Sequence, residues 1–185
     1  MNNNYNKTFD ARRLTSSAVC LSLCMLLPFI TGQNPMLGSA LGLMHIPVLL
    51  CGFVSGPVQA AVVGLVAPIM RSAIFGMPPM MPMAFSMSYE MAAYGFISGA
   101  LYKALPKKAV NIYVSLIIAM LLGRVVFGIA MAAVTGATSS LAVFFAGAQA
   151  FTVSAFVDAV PGLILHVVLI PLLVMALRKA GIVRG

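Results

Sequence analysis

Four ionisable side chains stand in stretches that are otherwise apolar: Arg71, Glu90, Arg124 and Asp158. Two cations and two anions can neutralise one another, or one cation can be left to meet the anionic group of a small molecule. Arginine suits a carboxylate because its planar fork bonds both oxygens. Structural pairs, Arg71 with Glu90 and Arg124 with Asp158, would instead fix helix packing. Other groups able to hydrogen-bond a ligand are Gln33, Asn34, Gln149, Tyr89 and Tyr94 on either side of Glu90, and His45 in "LMHIPV". Each has a plainer reading as a solvated loop group, an interface tyrosine or, for His45, a helix cap. His166 reads as an interhelical hydrogen bonder.

Other chemistries lack their residues. There is no G-x-x-x-x-G-K-[ST] loop for ATP, no H-E-x-x-H and no G-x-S-x-G. No His, Cys or carboxylate set has metal-ligand spacing, and no nucleophile stands beside a base. The expectation is no metal, no cofactor and no enzymatic activity in this chain. Cys20, Cys24 and Cys51 lie within apolar runs and read as small buried residues.

The elements that must position these groups are membrane helices. The chain has 185 residues, 62% hydrophobic and 8% charged, far from the roughly 25% charge of soluble domains. A span needs about 20 largely apolar residues. The pattern predicts an all-α membrane protein with six transmembrane helices. They run over Arg13–Ile30, Leu41–Val54, Val58–Phe75, Met83–Tyr102, Ala109–Val134 and Thr152–Leu177, the last kinked at Pro161 and Pro171. Residues 1–10 form a polar tail, and residues 11–185 a single six-helix domain. Helix 1 exceeds the roughly 7–15-residue apolar core of a signal peptide and reads as a first span anchored at the cytosol.

The basic residues give an orientation. Lys7, Arg12 and Arg13 precede helix 1, Lys103, Lys107 and Lys108 separate helices 4 and 5, and Arg178, Lys179 and Arg184 follow helix 6. Six spans put all three clusters on one side, and the opposite loops carry no lysine or arginine. This positive-inside pattern predicts that both termini are cytosolic. The formal charge of +8 is thus a topology signal and a contact to lipid headgroups, with no nucleic-acid partner expected.

In this topology Arg71, Glu90, Arg124 and Asp158 all fall in the outer half of the bilayer, judged at about 1.5 Å per residue. A charge at the bilayer centre costs at least about 2.5–3.5 kcal/mol, so these four are expected to face a cavity rather than lipid. The inner half has no counterpart. An ion path needs polar groups through the full thickness, whereas a cup open to the outside needs them on one side. Between Arg71 and Glu90 lies "GMPPMMP". Its prolines restrict the chain and its methionines adapt to an apolar cargo. Gly76, Met77, Pro78, Pro79 and Met80 are therefore expected to form a lid over an occluded small molecule. Small residues four apart allow close helix contact, as at Gly95 and Gly99. On helix 1, Ala18 and Ser22, with Ser16, Cys20 and Cys24, offer a stripe on which another membrane subunit could dock.

The pieces "RRLTSSAVCLSL", "GLMHIPVLLCGFVSGP", "RSAIFGMPPMMP" and "PGLILHVVLIPLLVMAL" carry a family likeness. Over nearly its whole length the chain resembles the substrate-binding S components of energy-coupling factor transporters, which import vitamins. The resemblance implies an S-component-like bundle in a prokaryotic plasma membrane. It implies capture of a vitamin from outside, and as partners a transmembrane T component and two cytosolic ATPases. It assigns docking on the T component to an A-x-x-x-A pattern in helix 1, matched here by Ala18 with Ser22 in place of the second alanine. "MHIPV" and "FGMPPMMP" look most like the pantothenate-type branch, with folate, a pyridoxine-like compound or another vitamin as the alternatives. Two alternatives stand beside this reading. A stand-alone transporter or channel would need a continuous polar path, and a structural membrane assembly protein would use the charges as packing pairs alone.

Overall fold

The computed structural model describes residues 11–31, 41–106, 108–136 and 160–182. They form helices and short connections, with no strand among them. α1 runs over Ala11–Leu26 and tightens into a 3₁₀ turn over Leu27–Thr31. The tightening falls at Pro28, the second residue of that turn, which cannot donate back to the helix. α2 covers His45–Val54, α3 Pro57–Phe75, α4 Phe85–Ala104, α5 Ala109–Gly136 and α6 Val160–Lys179.

Proline and glycine set most of the boundaries. Pro57 opens α3 in the first turn, where its missing N–H is no loss. Gly76 closes α3 in the left-handed region (φ 70°), donating its N–H to Ser72 O at 2.9 Å. Leu105 is extended ahead of Pro106, ending α4. Between α3 and α4 a π-helical turn over Met80–Ala84 follows the prolines, and Met81 within it is extended. Helix 4 therefore starts at Phe85, not Met83. Pro171 lies inside α6, while Pro161 falls in its first turn. The expected segment from Thr152 to Asp158, with the outer loops around residues 32–40 and 137–151, lies outside the described residues.

Four of the helical stretches have the length and apolarity to cross a bilayer: Ala11–Ile30, Pro57–Phe75, Ala109–Thr135 and Val160–Lys179. α2 does not, with only 10 residues. Its side chains are buried almost all round, which marks a core helix. α2 and α4 hold the domain together. One core cluster joins Ile46, Leu49 and Phe53 to Tyr94, Ile112, Leu116 and Ile170. The other joins Val48 and Cys51 to Cys20, Cys24, Val63, Ala67 and Met91. All three cysteines are buried and unbridged. Outward faces carry Leu14, Val19, Val62, Leu121, Val125, Ile164 and Val168 exposed, an arrangement suited to lipid rather than water.

The α3–α4 contact is backbone-close. A Cβ on Gly95 would come 2.6 Å from Ala60 O, and one on Gly99 2.8 Å from Pro57 N. The "GFISG" spacing thus packs as its small residues require. Hydroxyls in the helices are satisfied locally: Ser17, Ser22, Ser88 and Ser115 each donate to the carbonyl four residues earlier. Arg12 Nη2 donates to Gly181 O at 3.0 Å, so the start of α1 meets the end of α6. Phe53 and Tyr102 stack edge-on at 5.0 Å, bringing the end of α2 to the end of α4. These basic ends gather at one end of the bundle.

Candidate functional site

Glu90 is the one acidic side chain among the described residues, and it is buried to 1% exposure. It sits in the second turn of α4, at the junction of α2, α4 and α5. Its Oε1 accepts from Tyr94 Oη at 2.7 Å and meets Arg124 Nη1 at 3.1 Å. Tyr94 follows four residues after Glu90, so both project from one face of α4. The Tyr94 ring packs against Gly123 on α5, where any Cβ would collide with it. Gly123 therefore admits the ring that carries the hydroxyl to Glu90, and Arg124 follows it directly in sequence.

The third side is built by α2. Gly42, in the left-handed region (φ 54°), turns its carbonyl toward the first turn of α2. His45 N–H donates to Gly42 O at 2.9 Å, and His45 Nδ1 approaches the same oxygen at 3.1 Å. From α6, His166 Nε2 reaches it as well, at 3.1 Å. His166 thus ties α6 to the turn that precedes α2, where the sequence had indicated a bond between helices. The His45 ring stands 5.3 Å from Tyr94 and 6.0 Å from His166. Its Nε2 faces Glu90 Oε2 at 3.8 Å, within ion-pair range but beyond hydrogen-bond reach.

Arg71 does not join this cluster. It is buried near the end of α3, facing α1. Its Nη1 donates to Met25 O at 2.9 Å, one of the carbonyls left free where α1 ends. The guanidinium lies 5.4 Å from the Phe29 ring and 5.3 Å from the Phe75 ring, and these rings meet edge-on at 5.1 Å. Such cation–π contacts are worth about 0.5–2 kcal/mol each. No acidic side chain pairs with Arg71 among the described residues.

The sequence candidates therefore divide. Glu90, Arg124 and His45 come together. The pair formed is Glu90 with Arg124, in place of Arg71 with Glu90. Tyr89 is 52% exposed and points away, and Tyr94 is the tyrosine that reaches the carboxylate. Gln33, Asn34 and Asp158 lie outside the described residues, as does Gln149. Gly76 to Met80 lie just beyond the end of α3 that carries Arg71, with Met80 exposed. Ala18 and Ser22 are exposed on α1, while Cys20 and Cys24 of the same stripe turn into the core. Gly42 was not anticipated, since it acts through its carbonyl, and its only trace in sequence is a glycine three residues before His45. Among the described residues no group of three His, Cys or carboxylate side chains could hold a metal ion.

The arrangement is a buried carboxylate paired through one oxygen with a partly exposed guanidinium and flanked by two histidines, in a bundle whose outer surface suits lipid. No curated protein and no solved structure matches the chain. A family model described as "ECF transporter, substrate-specific component" matches residues 12–183. A match of that extent, on a multi-pass helical bundle with a buried polar cluster, shows that the chain belongs to the family of substrate-specific components of ECF transporters, the substrate-binding subunits of those transporters.

Proposed function

We propose that this subunit captures a small water-soluble, anion-bearing vitamin from outside the cell, of pantothenate type. The observation that carries the reading is the buried Glu90–Arg124 pair with His45 and Tyr94 around it. Ionisable groups at membrane depth are costly and usually mark a substrate site. In this reading Glu90, Arg124 and His45 line the cavity, and Arg71 meets the anionic group. Gln33, Asn34 and Asp158 contribute from the outer loops and helix ends. The loop Gly76, Met77, Pro78, Pro79 and Met80 closes over the cargo.

The six helices form the membrane domain in a prokaryotic plasma membrane, with both termini cytosolic. The gathering of Arg12, Arg13 and Arg178 at one end supports this orientation. The loaded subunit docks through the Ala18 and Ser22 face of α1 on a transmembrane T component. Two cytosolic ATPases hydrolyse ATP to drive release inward, and the chain itself catalyses nothing. Thermal-shift screening of the purified chain against a panel of water-soluble vitamins tests the reading. Stabilisation by one vitamin, pantothenate first, is expected. No stabilisation by any of them overturns it in favour of a structural role for the charges.

A further inference from the structure

Among the described residues the cluster leaves one polar atom without a partner, and its chemistry restricts what the cluster can bind. His45 Nδ1 and His166 Nε2 each lie 3.1 Å from Gly42 O. A carbonyl oxygen only accepts. A bare ring nitrogen at that distance would set lone pair against lone pair, so both nitrogens carry hydrogen. A neutral His45 then keeps its lone pair on Nε2. That nitrogen is buried and has no hydrogen-bond partner among the described residues. It faces Glu90 Oε2, a second acceptor, at 3.8 Å. Two acceptors stand side by side in the interior, and leaving such groups unpaired there is costly.

The charge balance narrows what would fill the gap. Arg124 offsets Glu90, so the ion pair itself carries no net charge. An ammonium would bring a second, uncompensated cation beside Arg124 into a poorly solvated site. A carboxylate would set further acceptors against the two already present. Two neutral polar hydrogens satisfy both atoms without adding charge.

We propose that His45 Nε2 and Glu90 Oε2 form a two-acceptor subsite that reads a pair of neutral hydrogen-bond donors on the substrate, such as the hydroxyls of a diol. The substrate's anionic group then lies away from this pair. The inference rests on the reading that the Glu90 cluster lines the substrate cavity, and it makes His45 a specificity-determining residue.

The test uses the purified full-length chain in detergent. Pantothenate, pyridoxine and riboflavin serve as hydroxylated probes, and nicotinate as a carboxylate without a donor pair. Ring ¹⁵N resonances of labelled histidine are recorded with and without each probe; the chain has two histidines, assigned with H45Q. Dissociation constants are measured for wild type, H45F and H45Q, with melting temperatures as a check on folding. The free chain is expected to show neutral His45 with bare Nε2. A hydroxylated probe is expected to move that resonance toward a hydrogen-bonded position. H45F weakens that probe by more than about tenfold, and H45Q, whose amide oxygen restores an acceptor, recovers part of the loss. A doubly protonated His45 in the free chain, nicotinate binding as tightly as the best hydroxylated probe, or equal affinity in a folded H45F each overturns the subsite alone. Should H45F fail to fold, the ¹⁵N spectra and H45Q decide. No binding of any probe by the folded chain removes both the subsite and the vitamin reading.

Discussion

Glu90 and Arg124 meet at 3.1 Å across the α4–α5 contact, the carboxylate buried and the guanidinium partly exposed. The Glu90 carboxylate accepts a second hydrogen bond from Tyr94 at 2.7 Å. These contacts offset the cost of burying the anion. They also fix the carboxylate so that its other oxygen turns toward His45.

Removing one member of the pair should leave a buried charge uncompensated. Arg124→Ala is expected to destabilise the chain by about 3–5 kcal/mol. Adding Glu90→Gln should restore much of that loss, because the orphaned charge is gone. Thermal unfolding in detergent of the two single variants and the double variant reads the coupling. Additive losses would show that the two side chains do not interact.

The Tyr94 hydroxyl and ring are separable. Tyr94→Phe keeps the ring against Gly123 and removes the bond to Glu90, for an expected loss of about 1.5–3 kcal/mol. Gly123→Ala leaves the hydroxyl in place but forces a Cβ into the ring, with an expected overpacking cost of about 1–3 kcal/mol. An Ala at position 123 with an unchanged melting temperature would mean that the ring does not rest there.

Helix ends were legible in the sequence because Pro57, Gly76 and Pro106 act through their own backbone. Glu90 and Arg124 were legible as charges that must be turned inward, since lipid leaves them no other place. Their pairing was not. α4 and α5 are apolar nearly all round, so spacing gives little sense of which face looks where. Arg71 and Glu90 flank one loop, which makes a pair between them one of the readings open to the sequence. The partners of Arg71 are instead a main-chain carbonyl and two phenylalanine rings, which no charge pattern announces. Gly42 was illegible for the same reason, as its function resides in a carbonyl that every residue possesses. The short α2 kept its expected end but not its start, because His45 and not Leu41 opens its regular hydrogen bonding.

Arg71 ties the end of α1 to the end of α3, and in the proposed function it also meets the substrate's anion. Arg71→Ala should lower the melting temperature and weaken vitamin binding by more than about tenfold, as losing one partner of a desolvated charge contact does. Arg71→Lys keeps the charge without the planar fork and should recover only part of the affinity. A lower melting temperature with unchanged affinity would assign Arg71 to the helix contact alone.

Ala18 and Ser22 lie on the exposed face of α1, with the Ser22 hydroxyl donating to Ala18 O at 3.0 Å. Ala18→Trp should leave the melting temperature of the isolated chain unchanged, because no core contact is touched. Co-purification with the T component and ATPases should fall sharply, because bulk blocks close helix approach. Undiminished assembly would move the docking face elsewhere.

The most direct measurement is calorimetric titration of pantothenate into the purified chain and into Arg124→Ala. The account predicts saturable one-to-one binding to the wild-type chain, weakened by more than about tenfold in a folded Arg124→Ala. Equal affinity in the two proteins would contradict the claim that the buried Glu90–Arg124 pair lines the substrate cavity.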